Sequence, residues 1–258
     1  IETIFHPVNI FDEISFETSA TISLSSDCSD LPNDNRNLCI RAAEILNQQY
    51  HVQQGIHMVL RKMIPIGAGL GGGSSDAATA LRGLVNCWNL SISEQELHSL
   101  ALQLGSDVPY FLRNDSAYAT GRGEILEYFH LDLPYWIVVV YPNINISTLW
   151  AYQNITIQSR QSSITLKDLL LENINNPKQL RALLQNDFEQ LILQKHEPVA
   201  RVKRVLYDSG ADFVQLSGSG SSVYGLFLDE SQARNTMSEL RKHHQTFLTP
   251  PAFHAQTQ

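Results

Sequence analysis

Pro65-Ile66-Gly67-Ala68-Gly69-Leu70-Gly71-Gly72-Gly73-Ser74-Ser75 is the stretch that decides how this chain reads, with five glycines between residues 67 and 73. Glycine loses more backbone entropy on folding than any other residue, so such a run is costly unless the backbone must come close to something. The apolar positions that follow, Ala77, Leu81, Leu84, Val85 and Trp88, recur at helical spacing and predict a helix opening near Ser75. A glycine loop feeding a helix gathers backbone N–H groups and the positive end of the helix dipole in one place, which suits a chain of phosphates. A plain flexible helix entry is the bland alternative. Gly67, Gly69 and Gly72 satisfy G-x-G-x-x-G, but a second helix over 93–104 occupies the span where a dinucleotide fold needs a strand ending in an acid. A Walker A loop needs Lys-Ser/Thr after its second glycine, and Gly72 is followed by Gly73.

Upstream of this loop, Ile4-Phe5, Ile10-Phe11, Ile14 to Phe16 and Thr21 to Leu24 read as short strands. A turn-rich segment (30–37) leads to a helix from about Leu38 to Tyr50, and Ile56 to Leu60 reads as a strand. Downstream, Ser93 and Glu96 form a capping box for a helix that stops at Gly105. Ser116 to Thr120 and Trp136 to Tyr141 read as strands, and helices are predicted at 166–171, 179–184, 187–194 and 198–207. The chain closes with a strand (213–216), a Gly-Ser run (217–222), a strand (223–228) and a helix (230–243), while 159–163 reads as a flexible stretch. This β-turn-β-helix ending suggests a small α+β domain, so an N-terminal domain over 1–145 and a C-terminal domain over 146–258 are expected to meet at a cleft.

Composition narrows the classes. The 258 residues suit one to two domains, and 43% hydrophobic against 17% charged residues excludes intrinsic disorder. A net charge of −8 excludes a nucleic-acid binder with a broad basic face. The apolar run Trp136 to Tyr141 is far short of the roughly 20 residues a helix needs to cross a bilayer. Three widely spaced cysteines (Cys28, Cys39, Cys87) point to neither a disulfide framework nor a zinc site, and the nine histidines show no ligand spacing, so no metal site is expected from the protein itself. A cytoplasmic protein without membrane or nucleic-acid partners is expected, and no oligomeric state is read.

The loop Pro-x-Gly-x-Gly-Leu-Gly-Gly-Gly-Ser-Ser resembles the phosphate-binding motif of the GHMP kinases. More narrowly, Gly71-Gly72-Gly73-Ser74-Ser75-Asp76 and Leu104-Gly105-Ser106-Asp107-Val108-Pro109-Tyr110-Phe111 resemble the branch that phosphorylates the 2-hydroxyl of cytidine-diphosphate methylerythritol in the non-mevalonate isoprenoid route. Asn186 to Glu189 and Leu216 to Ser221 add to a likeness that spans nearly the whole chain. It implies a two-domain α+β fold, an S5-like nucleotide domain followed by a ferredoxin-like one. It also implies ATP as phosphate donor, with Mg²⁺ shielding the phosphates.

By this resemblance Asp107 takes or orients the proton of the acceptor hydroxyl; the residue alone reads first as the N-cap of a short helix, the commoner role for Asp in such a place. Residues 65–75 would hold ATP together with Lys62 beside the loop and Asn37 near the adenine, though Asn37 also reads as a helix N-cap. Thr148 would bind the methylerythritol end and Tyr152 would stack on the cytosine, or else pack in a domain seam. Gly218 and Ser219, in the late Gly-Ser loop, would close the phosphate end of the cleft or form only a glycine hairpin. The family also has a lysine in an Ala-Lys-x-Asn-Leu strand and a Tyr-His pair. These are expected in roughly 25 residues ahead of Ile1, so the native protein is expected to be longer. Another GHMP kinase, or a non-catalytic nucleotide-binding fragment, stays as the alternative reading.

Overall fold

The computed structural model describes residues 1–113, 115–156 and 164–255, so the expected flexible stretch at 159–163 lies outside the described residues. Three short strands open the chain, β1 (Thr3–Phe5), β2 (Glu13–Ser19) and β3 (Ser23–Ser26). Then follow α1 (Leu38–Tyr50), β4 (Gly55–Arg61), α2 (Gly72–Cys87), α3 (Glu94–Leu104) and a 3-10 turn (Val108–Leu112). Strands β5 (Ala117–Thr120), β6 (Ile125–Tyr128) and β7 (Trp136–Tyr141) precede a helical run, α4 (Thr148–Asn154), α5 (Leu166–Asn173), α6 (Pro177–Leu183), α7 (Glu189–Lys195) and α8 (Glu197–Asp208). The chain ends β8 (Phe213–Leu216), β9 (Val223–Phe227), α9 (Glu230–Leu240) and β10 (Gln245–Thr249).

In the first half β4 lies between β2, antiparallel to it, and β3, parallel to it. Alternation along β4 sends Ile56, Met58 and Leu60 into one core, where they meet Ala43 and Leu46 of α1 and Ala77, Leu81 and Leu84 of α2. Burying each such aliphatic side chain is worth about 1.5–3 kcal/mol, so this stripe fixes how α2 lies on the sheet. Gly83 permits the close approach, because a Cβ there would fall 2.3 Å from the ring of Phe16 on β2. Strands β1, β5 and β6 form a separate antiparallel ribbon. The expected strand at Ile10-Phe11 is instead irregular chain, and β3 begins at Ser23 rather than Thr21.

The second half carries an antiparallel sheet in the order β10-β7-β9-β8, with α8 joining β7 to β8 by way of the helical run and α9 joining β9 to β10. This is the ferredoxin-like arrangement, and it requires β7 as its first strand. The expected division after residue 145 leaves β7 with the first domain, whereas its hydrogen-bonded neighbours are β9 and β10. Both faces of β7 are covered: Val138 and Val140 join the core beneath α8 and α9, while Ile137 and Val139 join a second core with Leu170 and Leu180. That double burial explains the unbroken apolar run in its sequence. Ile4, Val8, Ile10 and Leu70 of the glycine loop pack on this second core, so the loop sits where the two halves meet.

Candidate active site

Helix α2 starts at Gly72, not near Ser75 as expected, because only Gly67, Gly69 and Gly71 take left-handed backbone while Gly72 and Gly73 are already helical. Gly71 is the N-cap and offers no side chain, so the first N–H groups of α2 have no capping partner. Ser75 N–H donates to the Gly71 carbonyl at 2.9 Å as the first regular helical bond. A Cβ on Gly73 would meet nothing within 4 Å, whereas one on Gly71 would lie 2.6 Å from the ring of Phe111. The helix start is thus open on one side and packed on the 3-10 turn on the other.

The late Gly-Ser loop, residues 217–222, closes a hairpin between β8 and β9 and also grips the glycine loop. Ser217 Oγ donates to the Gly69 carbonyl at 2.8 Å, and Ser222 N–H donates to the Ala68 carbonyl at 3.0 Å. A Cβ on Gly69 would fall 2.3 Å from the Ser217 carbonyl oxygen, so glycine is required there by space as well as by its φ of +73°. Asn186, whose role the sequence left unassigned, braces the second loop by donating from Nδ2 to the Leu216 and Gly218 carbonyls at 2.9 and 2.8 Å. Glu189 accepts the Leu216 N–H at 2.9 Å and pairs with Lys203.

Asp107 precedes the 3-10 turn, yet its side chain makes no capping bond, so the capping alternative does not account for it. The residue as a whole keeps exposed surface, while burial of its carboxyl group raises its pKa above that of a free aspartate. Burial raises the pKa of the Tyr152 hydroxyl too, and the charge of Asp107 adds to that. Tyr152, on α4, packs edge-on against Phe188 at 4.9 Å and stays 48% exposed. Thr148 Oγ1 and Ser219 Oγ lie 3.2 Å apart. Arg82 of α2 donates to the Leu112 carbonyl and ties the 3-10 turn to the helix. Contacts therefore run from the glycine loop through residues 217–222 to Thr148 on α4, and separately from Gly71 through Phe111 to the turn that follows Asp107.

Two expected nucleotide residues are otherwise engaged. Asn37 is 5% exposed and caps α1, its Oδ1 accepting from Cys39 N–H at 2.9 Å and its Nδ2 donating to the Pro32 carbonyl at 2.9 Å. Both of its polar atoms are spent on the fold. Lys62 lies beneath the first turn of α2, with Nζ bonded to Asp12 Oδ2 and to Asp76 Oδ2, the latter at 2.7 Å. Its side chain is only 6% exposed, so the ammonium serves the two carboxylates rather than the space above the loop. Asp12 also accepts the Met63 and Ile64 N–H groups at 2.5 and 2.9 Å. The sequence reading does not single out Asp12, and it includes Asp76 only as the last residue of the glycine-serine motif, with no role assigned.

Burial raises Asp76 to about 7, with Asp12 adding and Lys62 opposing. The unfolded chain gives up this proton near the ordinary 3.8 and the folded one holds it to about 7, so between these values the native state binds more protons. Stability from this group is then greatest at the acid end and falls as pH rises through that window. Urea unfolding of the wild type is expected to lose ground to Asp76→Asn as pH rises over this range. A difference that does not change with pH contradicts the assignment.

Comparison with known proteins decides the family. The profile described as GHMP kinases N terminal domain matches residues 37–114, and that of GHMP kinases C terminal matches 166–246. The chain is 47% identical over 255 residues to the 4-diphosphocytidyl-2-C-methyl-D-erythritol kinase of Pelodictyon phaeoclathratiforme, an overlap covering 98% of this chain and 89% of that one. The chain belongs to the GHMP kinase family. Its fold matches a crystal structure of 4-(cytidine 5'-diphospho)-2C-methyl-D-erythritol kinase with a TM-score of 0.80 at 28% identity, covering 98% of this GHMP kinase and 90% of the other. A homoserine kinase from Cytophaga hutchinsonii shares the fold with a TM-score of 0.74 at 17% identity, covering 93% and 86% of the two chains. The two-domain α+β architecture implied by the sequence is that of this family.

Proposed function

We propose that this GHMP kinase transfers the γ-phosphoryl group of ATP to the 2-hydroxyl of 4-diphosphocytidyl-2-C-methyl-D-erythritol. The observation that carries the reading is the uncapped start of α2, open at Gly73 and packed through Gly71 on Phe111 of the 3-10 turn that Asp107 precedes. The free N–H groups of the first turn of α2 receive the phosphates, where the helix dipole favours negative charge. Asp107 accepts the proton of the acceptor hydroxyl as the O–P bond forms. Phosphoryl transfer asks little more of the protein than alignment and charge neutralisation. Tyr152 offers its exposed face to the cytosine, and the Thr148–Ser219 pair holds the sugar-alcohol end. The relatives at 40–47% identity carry the cytidyl-methylerythritol kinase name, which favours this substrate over homoserine or mevalonate-type alcohols.

Mg²⁺ bound with ATP would shield charge between the phosphates. The Ser74 and Ser75 hydroxyls in the first turn of α2 are hard oxygen donors that fit such an ion, while the Asp76 carboxylate is committed to Lys62. A cytoplasmic setting accords with the absence, among the described residues, of any helix long and apolar enough to cross a membrane.

Binding tests the reading. Each ligand that binds the folded state raises the melting temperature, so ATP and the cytidyl substrate are each expected to do so, and homoserine is not. Tyr152→Ala is expected to raise KM for the cytidyl substrate about tenfold, the low end of what base stacking contributes, with KM for ATP unchanged. An equal change in both KM values overturns the stacking role. Gly73→Ala is expected to leave stability unchanged or slightly improved, since Ala suits a helix better than Gly and no protein atom is in its way. Its KM for ATP is expected to rise about tenfold, as the methyl group invades the space over the loop and displaces one charge-assisted hydrogen bond. An unaltered KM would show that the phosphates lie elsewhere.

A further inference from the structure

On the face formed by the β6–β7 connection and the C-terminal segment, three metal-ligating side chains converge that the kinase chemistry does not use. Leu131, Leu133 and Tyr135 are buried in alternation, so His130 and Asp132 point outward together on the same side of an extended segment. His254 reaches them from the other end of the chain, held in place by Ala252 N–H donating to the Leu133 carbonyl at 2.9 Å. His130 Nε2 lies 3.0 Å from Asp132 Oδ2, and His254 Nε2 lies 2.9 Å from Asp132 Oδ1. The two imidazole rings stack 5.0 Å apart and 11° from parallel, so both present the same edge to the carboxylate. One donor atom from each of the three residues falls within 4.8 Å of the others.

We propose that His130, Asp132 and His254 form a site for a divalent transition ion of the Zn²⁺ class, which ties the C-terminal segment to the β6–β7 connection. Ligands at about 2.0–2.2 Å from a tetrahedral zinc lie roughly 3.3 Å from one another, so small rotations of the observed side chains admit the ion. On binding, each imidazole gives up the Nε2 proton that it donates to Asp132, taking one at Nδ1 from solvent, so that the Nε2 lone pair faces the metal while the carboxylate stays charged. Two nitrogens and one oxygen suit zinc or a neighbouring first-row ion, whereas Mg²⁺ prefers oxygen alone. Three protein ligands leave a position for water or a small anion. His130 and His254 line the rim of a cavity of about 270 Å³ whose walls include Arg113, Asp115 and Ser116, so that position opens onto it. Arg113 closes the 3-10 turn that begins after Asp107, so the site adjoins the scaffold of the catalytic turn without belonging to it.

The probe is Zn²⁺ alone, titrated calorimetrically into chelator-stripped, nucleotide-free protein. One ion per chain is expected, with binding weakened at least tenfold in His130→Ala, in His254→Ala and in Asp132→Asn. His243→Ala/His244→Ala, which removes the other adjacent histidine pair, is expected to bind as the wild type does. All three ligands are exposed, so these variants are expected to keep the wild-type melting temperature without metal, and only the wild type is expected to gain stability when Zn²⁺ is added. Co²⁺ in place of Zn²⁺ is expected to give visible d–d bands that vanish in His254→Ala. Undiminished binding in the His130 and His254 variants, or loss of binding in the His243/His244 variant instead, overturns the proposal, as does the absence of any saturable binding to the wild type.

Discussion

Asp107→Asn is expected to lower kcat by about 10²–10⁴-fold, the usual contribution of a positioned general base, while leaving KM for ATP and the melting temperature close to wild type. The substitution keeps the size and shape of the side chain and removes only its charge and basicity. Among the described residues the carboxylate makes no capping bond to the 3-10 turn, and a Cβ added at Gly123 would sit 3.0 Å from its Oδ1. Because burial raises its pKa, Asp107 reaches its basic form at a higher pH than an ordinary aspartate, and the acid limb of kcat is expected to move up with it. That limb disappears in Asp107→Asn. A variant with kcat within threefold of wild type would assign the proton transfer to another group; so would a large loss of stability, which would mark Asp107 as structural.

Lys62→Met is expected to produce the largest loss of stability, about 3–5 kcal/mol at neutral pH by chemical denaturation. Lys62, Asp12 and Asp76 expose 6%, 3% and 5% of their side chains, so removing the ammonium leaves two acidic groups facing each other out of water with no cation between them. The cost is that of uncompensated buried charge rather than the worth of a salt bridge. Part of the loss is therefore expected to return in Lys62→Met/Asp76→Asn, where one of the two charges is gone as well. The same trio supports the first turn of α2, since a Cβ on Gly72 would lie 3.4 Å from Lys62 Nζ. ATP affinity is expected to fall with stability in the single variant and to recover with it in the double. A single variant within 1 kcal/mol of wild type would show that water reaches the trio.

Much of this site was legible because local patterns carry it. The glycine loop declares itself by composition, and the α2 stripe of Ala77, Leu81, Leu84 and Trp88 is buried as its spacing requires. Ser93 accepts the Glu96 N–H at 3.2 Å, as its capping box implies. The start of α2 was misplaced because Gly72 and Gly73 have no side chains to register with the helical period. Strands β6 and β10 went unread: β6 is four residues long with Ile125 62% exposed, and β10 alternates too weakly to stand out from the helix end before it. The Lys62 trio was invisible for a different reason. Asp12 and Lys62 stand 50 residues apart and only pairing of β2 with β4 brings them together, so no local window holds the pattern. For Asn37 the capping alternative describes where its atoms go.

The most direct test of the central claim is phosphorus NMR of the full-length protein incubated with ATP, Mg²⁺ and 4-diphosphocytidyl-2-C-methyl-D-erythritol. A new phosphomonoester on the 2-hydroxyl, formed in step with ADP and absent without ATP, is the predicted result. No transfer to that hydroxyl, with ATP instead consumed when homoserine or mevalonate is supplied, would contradict it.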